Sequence, residues 1–539
     1  MSQTESASEK TTELETTTLA TATYAAPIST LSGSLHKTWP NLLEIPSGEI
    51  MSEQPERPNV LLIMTDQHRH DLMTCAGKDV VPTPNVDRIA ERGVRLENTY
   101  CPYPVCVASR MAMLTGLHAH QTGAIDNTDF LDWRYRTMAH HFSDNGYLTG
   151  LIGKMHFGDA HNHGFDYYLS INDWLMYLGP QVQHFANEIG SNPPNKKHFF
   201  RTMYDTGAGF PDVYDLWDGK GSPWRGHVTQ SDFKSMASEI PAEDHLDMFV
   251  ARESAKFLRR YRDQPFFLCA SFMKPHTPLF APQEWADKYP VADMPLPSPG
   301  DISKYPEHIQ KRIQTTMGYD PQLLQANYAG YYACLAFADH CVGVLLDAFE
   351  QEGLMENTIL VYTADHGDMV GQHGLFGKFC LFDPSVKVPL IVSYPKHLPQ
   401  DQVCSALVEQ LGLYPTLAEL TNTGPVSSPA MKPLDGAPAK ISGRSFAESI
   451  RNPTASGPDA VFSEYNLRSQ NCQYMIRTDR YKYIHNDGTS DELYDLHHDP
   501  EENVNRIMDP DLSNESSEFR DRLFAWYDPT MNPHRNTSG

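Results

Sequence analysis

The chain has 539 residues, 40% of them apolar and 11% aromatic, and carries a formal net charge of -25 at neutral pH. That length exceeds one ordinary core, and the apolar content excludes a mainly disordered chain. The acidic balance argues against nucleic acid or an anionic membrane as a partner, so any site for an anionic ligand must be positive only locally.

Residues 1–57 are rich in Ser, Thr and Glu, lack an apolar run and read as a disordered extension. They show no leader with a basic start and apolar centre, and no later stretch reads as a membrane span. Met51, which opens MSEQPERPNVLLIMTDQ, is a second candidate start beside Met1. The nine cysteines are odd in number and irregularly spaced, with Cys334 and Cys341 too far apart for a CxxC site. Neither a disulfide framework nor structural zinc is expected, and a reduced, cytoplasmic setting fits.

Residues 58–65 (PNVLLIMT) form a short apolar run, the mark of a strand buried on both faces of a parallel sheet. It runs into Asp66, Gln67, His68 and Arg69. Residues 83–93 read as a helix with a polar start and a glycine stop. Next comes CPYPVCVASRMAMLTGLHAHQTGAIDN, in which Cys106 opens a predicted helix, Arg110 follows four residues later, and turn residues flank both ends. A helix N-terminus favours an anion. Residues 138–145 are helical, and 147–153 form a strand ending in Lys154, Met155 and His156. A helix at 245–262 precedes a strand at 265–272, which leads to Lys274, Pro275 and His276. A helix at 328–351 precedes a strand at 358–363, which leads to Asp365, His366, Gly367 and Asp368. Residues 387–394 give a fifth strand.

Strands alternating with helices imply an α/β fold: a mostly parallel central sheet sandwiched by helices, with ligands beyond the carboxyl ends of the strands. Residues 58–426 form the catalytic domain, with an insertion around 174–244. Residues 427–443 read as a connector within a C-terminal unit spanning 427–525, and 526–539 form a tail. Alternating strands at 461–465, 473–478, 481–485 and 492–496 make that unit a small α+β subdomain with an antiparallel sheet, and Asp479–Arg480 is a hairpin turn.

Four strands end in groups that can do chemistry. Oxygen donors from Asp66, Gln67 and Asp365 suit a hard divalent cation, and His366 tilts the set towards manganese without excluding calcium. Arg110, Lys154, His156, His276 and Lys378 would surround a tetrahedral oxyanion with charge and proton carriers. Any one of them alone reads as an ordinary surface charge or turn residue.

Cys106-Val107-Ala108-Ser109-Arg110 with Leu114-Thr115-Gly116 resembles the signature of the formylglycine-dependent sulfatases of the alkaline phosphatase superfamily. NVLLIMTDQ, TPNVDRIAERG, GYLTGLIGKMHF, PFFLCASFMKPHTP, TADHGDMVGQHG followed by Lys378, and LYDLHHDPEEN resemble further segments in the family's order. The resemblance implies that a maturation enzyme converts Cys106 to formylglycine. The hydrated aldehyde would attack sulfur with one hydroxyl, and the other would then expel sulfate. It further implies that Asp66, Gln67, Asp365, His366 and residue 106 hold one divalent cation, calcium first and manganese or magnesium as alternatives. Arg110 and Lys154 match the groups that hold the diol, and His156 matches the base. His276 and Lys378 match the sulfate-binding and leaving-group-protonating positions. Ala108 stands where the commonest version has proline, which bears on the maturase. Gln67 and His366 depart from aspartate and asparagine, variants that resemble the choline sulfatase and phosphonate monoester hydrolase branches and also some carbohydrate sulfatases.

The resulting expectation is a sulfuric ester hydrolase acting on a small anionic substrate, a sulfated mono- or oligosaccharide or similar metabolite. A phosphonate monoester or phosphodiester hydrolase, or a choline sulfatase, is the alternative on the same scaffold. A catalytically dead binding protein is disfavoured because every chemical position is filled. His118, His120, Asp126, Asn127, His161 and His163 are candidates to line the pocket. The aromatics of 174–226 read either as sugar-stacking groups or as a packed lid. The sequence leaves a homo-oligomer open.

Overall fold

A computed structural model of the protein describes residues 57–157, 161–179, 236–238, 240–426, 441–527 and 529–533. The expected disorder of 1–57, most of the 174–226 insertion and most of the 427–443 connector lie outside the described residues. The strands of the main sheet are β1 (Asn59–Asp66), β2 (Gly93–Tyr100), β3 (Leu148–Gly153), β4 (Tyr167–Leu169), β5 (Phe266–Pro275), β6 (Thr358–Ala364), β7 (Leu390–Ser393) and β8 (Gln402–Glu409). Their spatial order is β4-β3-β5-β1-β6-β7-β2-β8. The four strands whose ends carry chemistry, β3, β5, β1 and β6, are adjacent and mutually parallel. β7 runs antiparallel to both neighbours, β6 and β2.

Side-chain alternation explains why the central strands are apolar throughout. Val60, Leu62 and Met64 of β1 enter one core, while Leu61 and Ile63 enter the other. On the first side lies helix α2 (Cys106–Thr115) through Val107, Met111 and Leu114. On the second lie α1 (Pro84–Glu91) and the helices Leu246–Tyr261 and Pro321–Gln351. The Pro321–Gln351 helix is long and apolar enough to cross a membrane, and most of that apolar stretch is buried inside the fold. It begins at Pro321, behind an Asp320 cap whose side chain accepts the Gln322 N–H at 2.8 Å, and so starts earlier than periodicity alone suggests.

The C-terminal strands β9 (Val461–Tyr465), β10 (Gln473–Arg477), β11 (Tyr481–Asn486) and β12 (Glu492–Asp495) make an antiparallel sheet, with the Thr478–Tyr481 turn where it was expected. Met475, Ile484 and Tyr494 share a buried cluster with Tyr100, Phe382 and Val386 of the main unit. The helix Ser513–Trp526 lies within the stretch that patterning assigned to the end of the subdomain and the tail; its apolar face is narrow, with Phe519 and Leu523 buried. Strands β2 and β8 carry no strand pattern because charged and polar residues interrupt them, as in GVRLENTY, and β4 is only three residues long.

Asp339, on the Pro321–Gln351 helix, accepts from the backbone N–H of Asn85 (3.1 Å) and Val86 (2.9 Å) and from Asn85 Nδ2 (2.8 Å), capping α1 from outside. Burial raises its pKa from 3.8 to about 6, against the pull of those donors. The folded protein therefore holds this proton more tightly than the unfolded chain does. The contribution is complete below the unfolded value and is lost as pH rises through about 6. Asp339→Asn should remove that part of the pH dependence, so wild type should lose thermal stability more steeply than the variant between about pH 4 and 6. Equal slopes would disprove the assignment.

Candidate active site

The carboxyl ends of β1, β6, β3 and β5 deliver Asp66, Asp365–His366, Lys154–His156 and His276 to one place, and α2 brings Cys106 and Arg110 from the side. Backbone packing dictates two glycines at these exits. At Gly153 (φ 102) a Cβ would lie 2.0 Å from Ser271 O, and at Gly367 it would lie 2.0 Å from Pro384 O. Gln67 (φ 69) and His156 (φ 70) occupy the left-handed region, costly for non-glycine residues and characteristic of functional sites.

Arg110 is fully buried and joins the strand ends. Its Nε donates to Asp365 Oδ2 (2.7 Å), Nη2 to Asp66 Oδ2 (2.9 Å), and Nη1 to Ser271 Oγ (3.0 Å) and Lys154 O (2.5 Å). Lys154 Nζ adds a contact to Asp66 Oδ2 at 2.5 Å. Burial and the Cys106 thiolate would push the Asp66 pKa up, but Lys154, His276 and Arg110 outweigh them and hold it well below the usual carboxylate range. Asp365 Oδ1 accepts the backbone N–H of Gln67 (3.0 Å) and His366 (2.9 Å).

Cys106 Sγ lies 3.2 Å from His366 Nε2, 3.2 Å from Lys378 Nζ, 3.8 Å from Lys154 Nζ and 3.9 Å from Asp66 Oδ1. Burial alone would raise its pKa, yet Lys154, Lys378 and His366 bring it well below a normal thiol. His366 Nδ1 is 3.0 Å from Gly367 O and must donate there, so the neutral ring turns the lone pair of Nε2 to the cluster. Burial lowers the His366 pKa, but the Asp365 carboxylate, with Cys106, more than reverses this. Burial lowers His156 to about 4, with a hydrogen bond to Cys106 opposing it. Burial, then Lys154 and Lys378, also lower His276, whose Nδ1 sits 2.8 Å from Thr277 O.

The donor chemistry fits a divalent cation. Ligand atoms of Asp66, Cys106, Asp365 and His366 all lie within 4.8 Å of one another and are buried. Two carboxylates and an imidazole lone pair suit a hard or borderline metal, and an oxygen in place of the residue 106 sulfur would make the set harder still. Gln67, the remaining ligand expected from the sequence, lies outside this group of four: its Oε1 accepts from Lys378 Nζ at 2.8 Å, and its Nε2 donates to Asp368 Oδ2. Asp368 also accepts the N–H of Val370 (2.7 Å) and Gly377 (3.0 Å), so it dictates which end of the Gln67 amide faces the centre.

All ten residues named for the centre from the sequence therefore come together. The pocket candidates are placed differently. Asn127 Oδ1 accepts Val107 N–H at 3.3 Å, next in sequence to Cys106, and Asp126 is exposed. His118 and His120 stack on each other; His120 is held by Glu464 (Nδ1–Oε2 2.8 Å) and His118 by Trp526 (3.3 Å). Both line a cavity of about 800 Å³ with Arg444, Phe462 and Trp526, none of them residues of the cation cluster. His163 is buried against Phe157 and His161 is exposed.

Sequence reasoning missed Ser109, whose Oγ donates to Asp365 O (2.5 Å), and Gln410, whose Nε2 donates to Ala364 O (2.6 Å). It also missed the orienting role of Asp368. Asp368 could have been suspected as the third polar residue of the DHGD run; Gln410 carries no local signal.

A family model for sulfatases matches residues 58–423, and one for the C-terminal region of N-sulphoglucosamine sulphohydrolase matches 371–527. An arylsulfatase of Clostridium perfringens is 28% identical over 478 residues, covering 87% of this chain and 92% of its own. An N-acetylglucosamine-6-O-sulfatase of Bacteroides thetaiotaomicron is 26% identical over 516 residues, covering 88% of each chain. The solved phosphonate monoester hydrolase of Agrobacterium radiobacter shares the fold with a TM-score of 0.68 at 22% identity, covering 87% of this chain and 95% of its own. With the matched model spanning more than half of it, the chain belongs to the sulfatase family of the alkaline phosphatase superfamily and is a sulfuric ester hydrolase.

Proposed function

We propose that the enzyme cleaves a sulfate monoester with formylglycine derived from Cys106 and one divalent cation, calcium first, with manganese or magnesium as alternatives. The observation that carries this reading is the convergence on one side chain: Cys106 Sγ has an imidazole nitrogen and two lysine ammonium groups within 3.8 Å. A cysteine serving only as a small buried hydrophobe requires none of them.

Hydrated formylglycine would supply two hydroxyls on one carbon, one to attack sulfur and one to release sulfate without a slow ester hydrolysis. The cation would supply Lewis-acid charge beside that nucleophile, held by Asp66, Gln67, Asp365, His366 and residue 106. Arg110 holds the two carboxylates apart and fixed. Lys154 bears on an oxygen at position 106 and balances Asp66. His156, neutral near pH 7 because burial holds it at about 4, accepts the proton whose loss frees sulfate. Lys378 binds a sulfuryl oxygen and brings a proton to the departing alcohol. His276 presents Nε2 to the same space. The net reaction takes up one water and yields alcohol and hydrogen sulfate.

Likeness to an N-acetylglucosamine-6-O-sulfatase and an arylsulfatase supports a sulfated mono- or oligosaccharide, or another small sulfated metabolite, as substrate. Converting a thiol to an aldehyde is a two-electron oxidation with loss of sulfur, so a separate maturation enzyme must act on the Cys-Val-Ala-Ser-Arg sequence.

Protein from its native host should show a peptide containing residue 106 that is about 18 Da lighter than the cysteine form; only unmodified cysteine would end the mechanism. Chelation should abolish turnover, and one equivalent of calcium, manganese or magnesium should restore it, with metal analysis giving about one ion per chain. Full activity in metal-free protein would contradict the cation assignment. An aryl sulfate should be cleaved with higher kcat/KM than the matching aryl phosphodiester. The opposite order would favour a phosphodiester or phosphonate hydrolase.

A further inference from the structure

We infer that Arg312 is a positioning residue for Lys378. Arg312 stands on the helix Glu307–Met317, 66 positions before Lys378, and that helix contributes nothing to the candidate cation cluster. Its guanidinium fork donates from Nη2 to Lys378 O (2.8 Å) and from Nη1 to Phe379 O (2.7 Å), taking two successive carbonyls at once. Phe379 has φ 74, a left-handed backbone that a phenylalanine adopts only when its surroundings enforce it.

The loop is fastened on either side of this point. Before it, Gly377 N donates to Asp368 Oδ1 (3.0 Å) and Met369 N donates to Gly377 O (2.8 Å). After it, Lys482 Nζ donates to Leu381 O (3.2 Å) and Asp383 N donates to Glu502 Oε2 (2.7 Å). Arg312 holds the stretch between these anchors, where the chain must turn against its preference to send Lys378 inward. The lysine then reaches both Gln67 Oε1 (2.8 Å) and Cys106 Sγ (3.2 Å). A planar fork can hold two carbonyl directions simultaneously, which a single ammonium cannot.

This inference rests on the catalytic role given to Lys378, and a double-mutant cycle separates the two. In the metal-loaded, matured enzyme, Arg312→Ala should lower kcat/KM on an aryl sulfate on the order of 10- to 100-fold, the scale of a misplaced catalytic group. Arg312→Lys, which keeps the charge and can meet one carbonyl at a time, should recover part of that loss. Melting temperature and bound metal should stay near wild type, and in a Lys378→Ala background Arg312→Ala should cost nothing further. If Arg312→Ala does not fold, the same cycle is read with Arg312→Lys and Arg312→Gln. An equal loss in both backgrounds, or no loss in an enzyme that Lys378→Ala cripples, would overturn the positioning role alone. A Lys378→Ala enzyme with wild-type turnover would overturn the role of Lys378, and this inference with it.

Discussion

Arg110 lies between Asp66 and Asp365 with no exposed surface, and the whole centre depends on that contact. Two carboxylates brought together in a dry interior repel each other, and each is costly to desolvate. A guanidinium with fixed, forked donors meets both at once and keeps donors for Ser271 and the Lys154 carbonyl. Breaking such an arrangement by removing one partner costs about 3–5 kcal/mol, because charge is left stranded. The contact also sets the rotation of α2. Cys106 and Arg110 are one helical turn apart on the same face, so anchoring Arg110 between the strand ends delivers position 106 to Asp66 and His366.

Against a chain charge of -25, the centre gathers Arg110, Lys154 and Lys378 around Asp66, Asp365 and Cys106. Overall acidity is therefore offset locally, where three cationic side chains stand together in one buried volume. The same burial that concentrates these charges makes the histidines differ. His156 is driven neutral, whereas the field of Asp365 and Cys106 draws His366 the other way. That negative field is what a divalent cation would neutralise.

The C-terminal sheet takes part in this geometry. Lys482 of β11 is fully buried; it pairs with Asp383 and with Glu502 at 2.5 Å, while Tyr100 Oη donates to Asp383 Oδ2 at 3.1 Å. This ionic knot closes the loop that begins at Lys378. The antiparallel sheet and the main sheet thus share one buried cluster and the loop that carries Lys378.

Much of this was legible in the chain. A strand buried on both faces must be apolar at every position, so β1, β3, β5 and β6 announced themselves, and the polar groups that end them marked the site. The Cys106–Arg110 spacing and the DHGD run did the rest. Other features were beyond reach because they depend on which residues meet across the sheet. The order β3-β5-β1-β6, which makes those strand ends neighbours, is a tertiary fact. So are the choice of Asp368 to orient Gln67, of Gln410 to brace the Asp365 backbone through Ala364 O, and of Arg312 to hold the Lys378 turn. His118 and His120, close to Cys106 in sequence, instead pack with Trp526 and Glu464, because a short helix after α2 carries them to the C-terminal sheet. Local periodicity and residue chemistry determined the elements and the reactive groups; long-range packing alone decided which of those groups share one buried, charge-balanced volume.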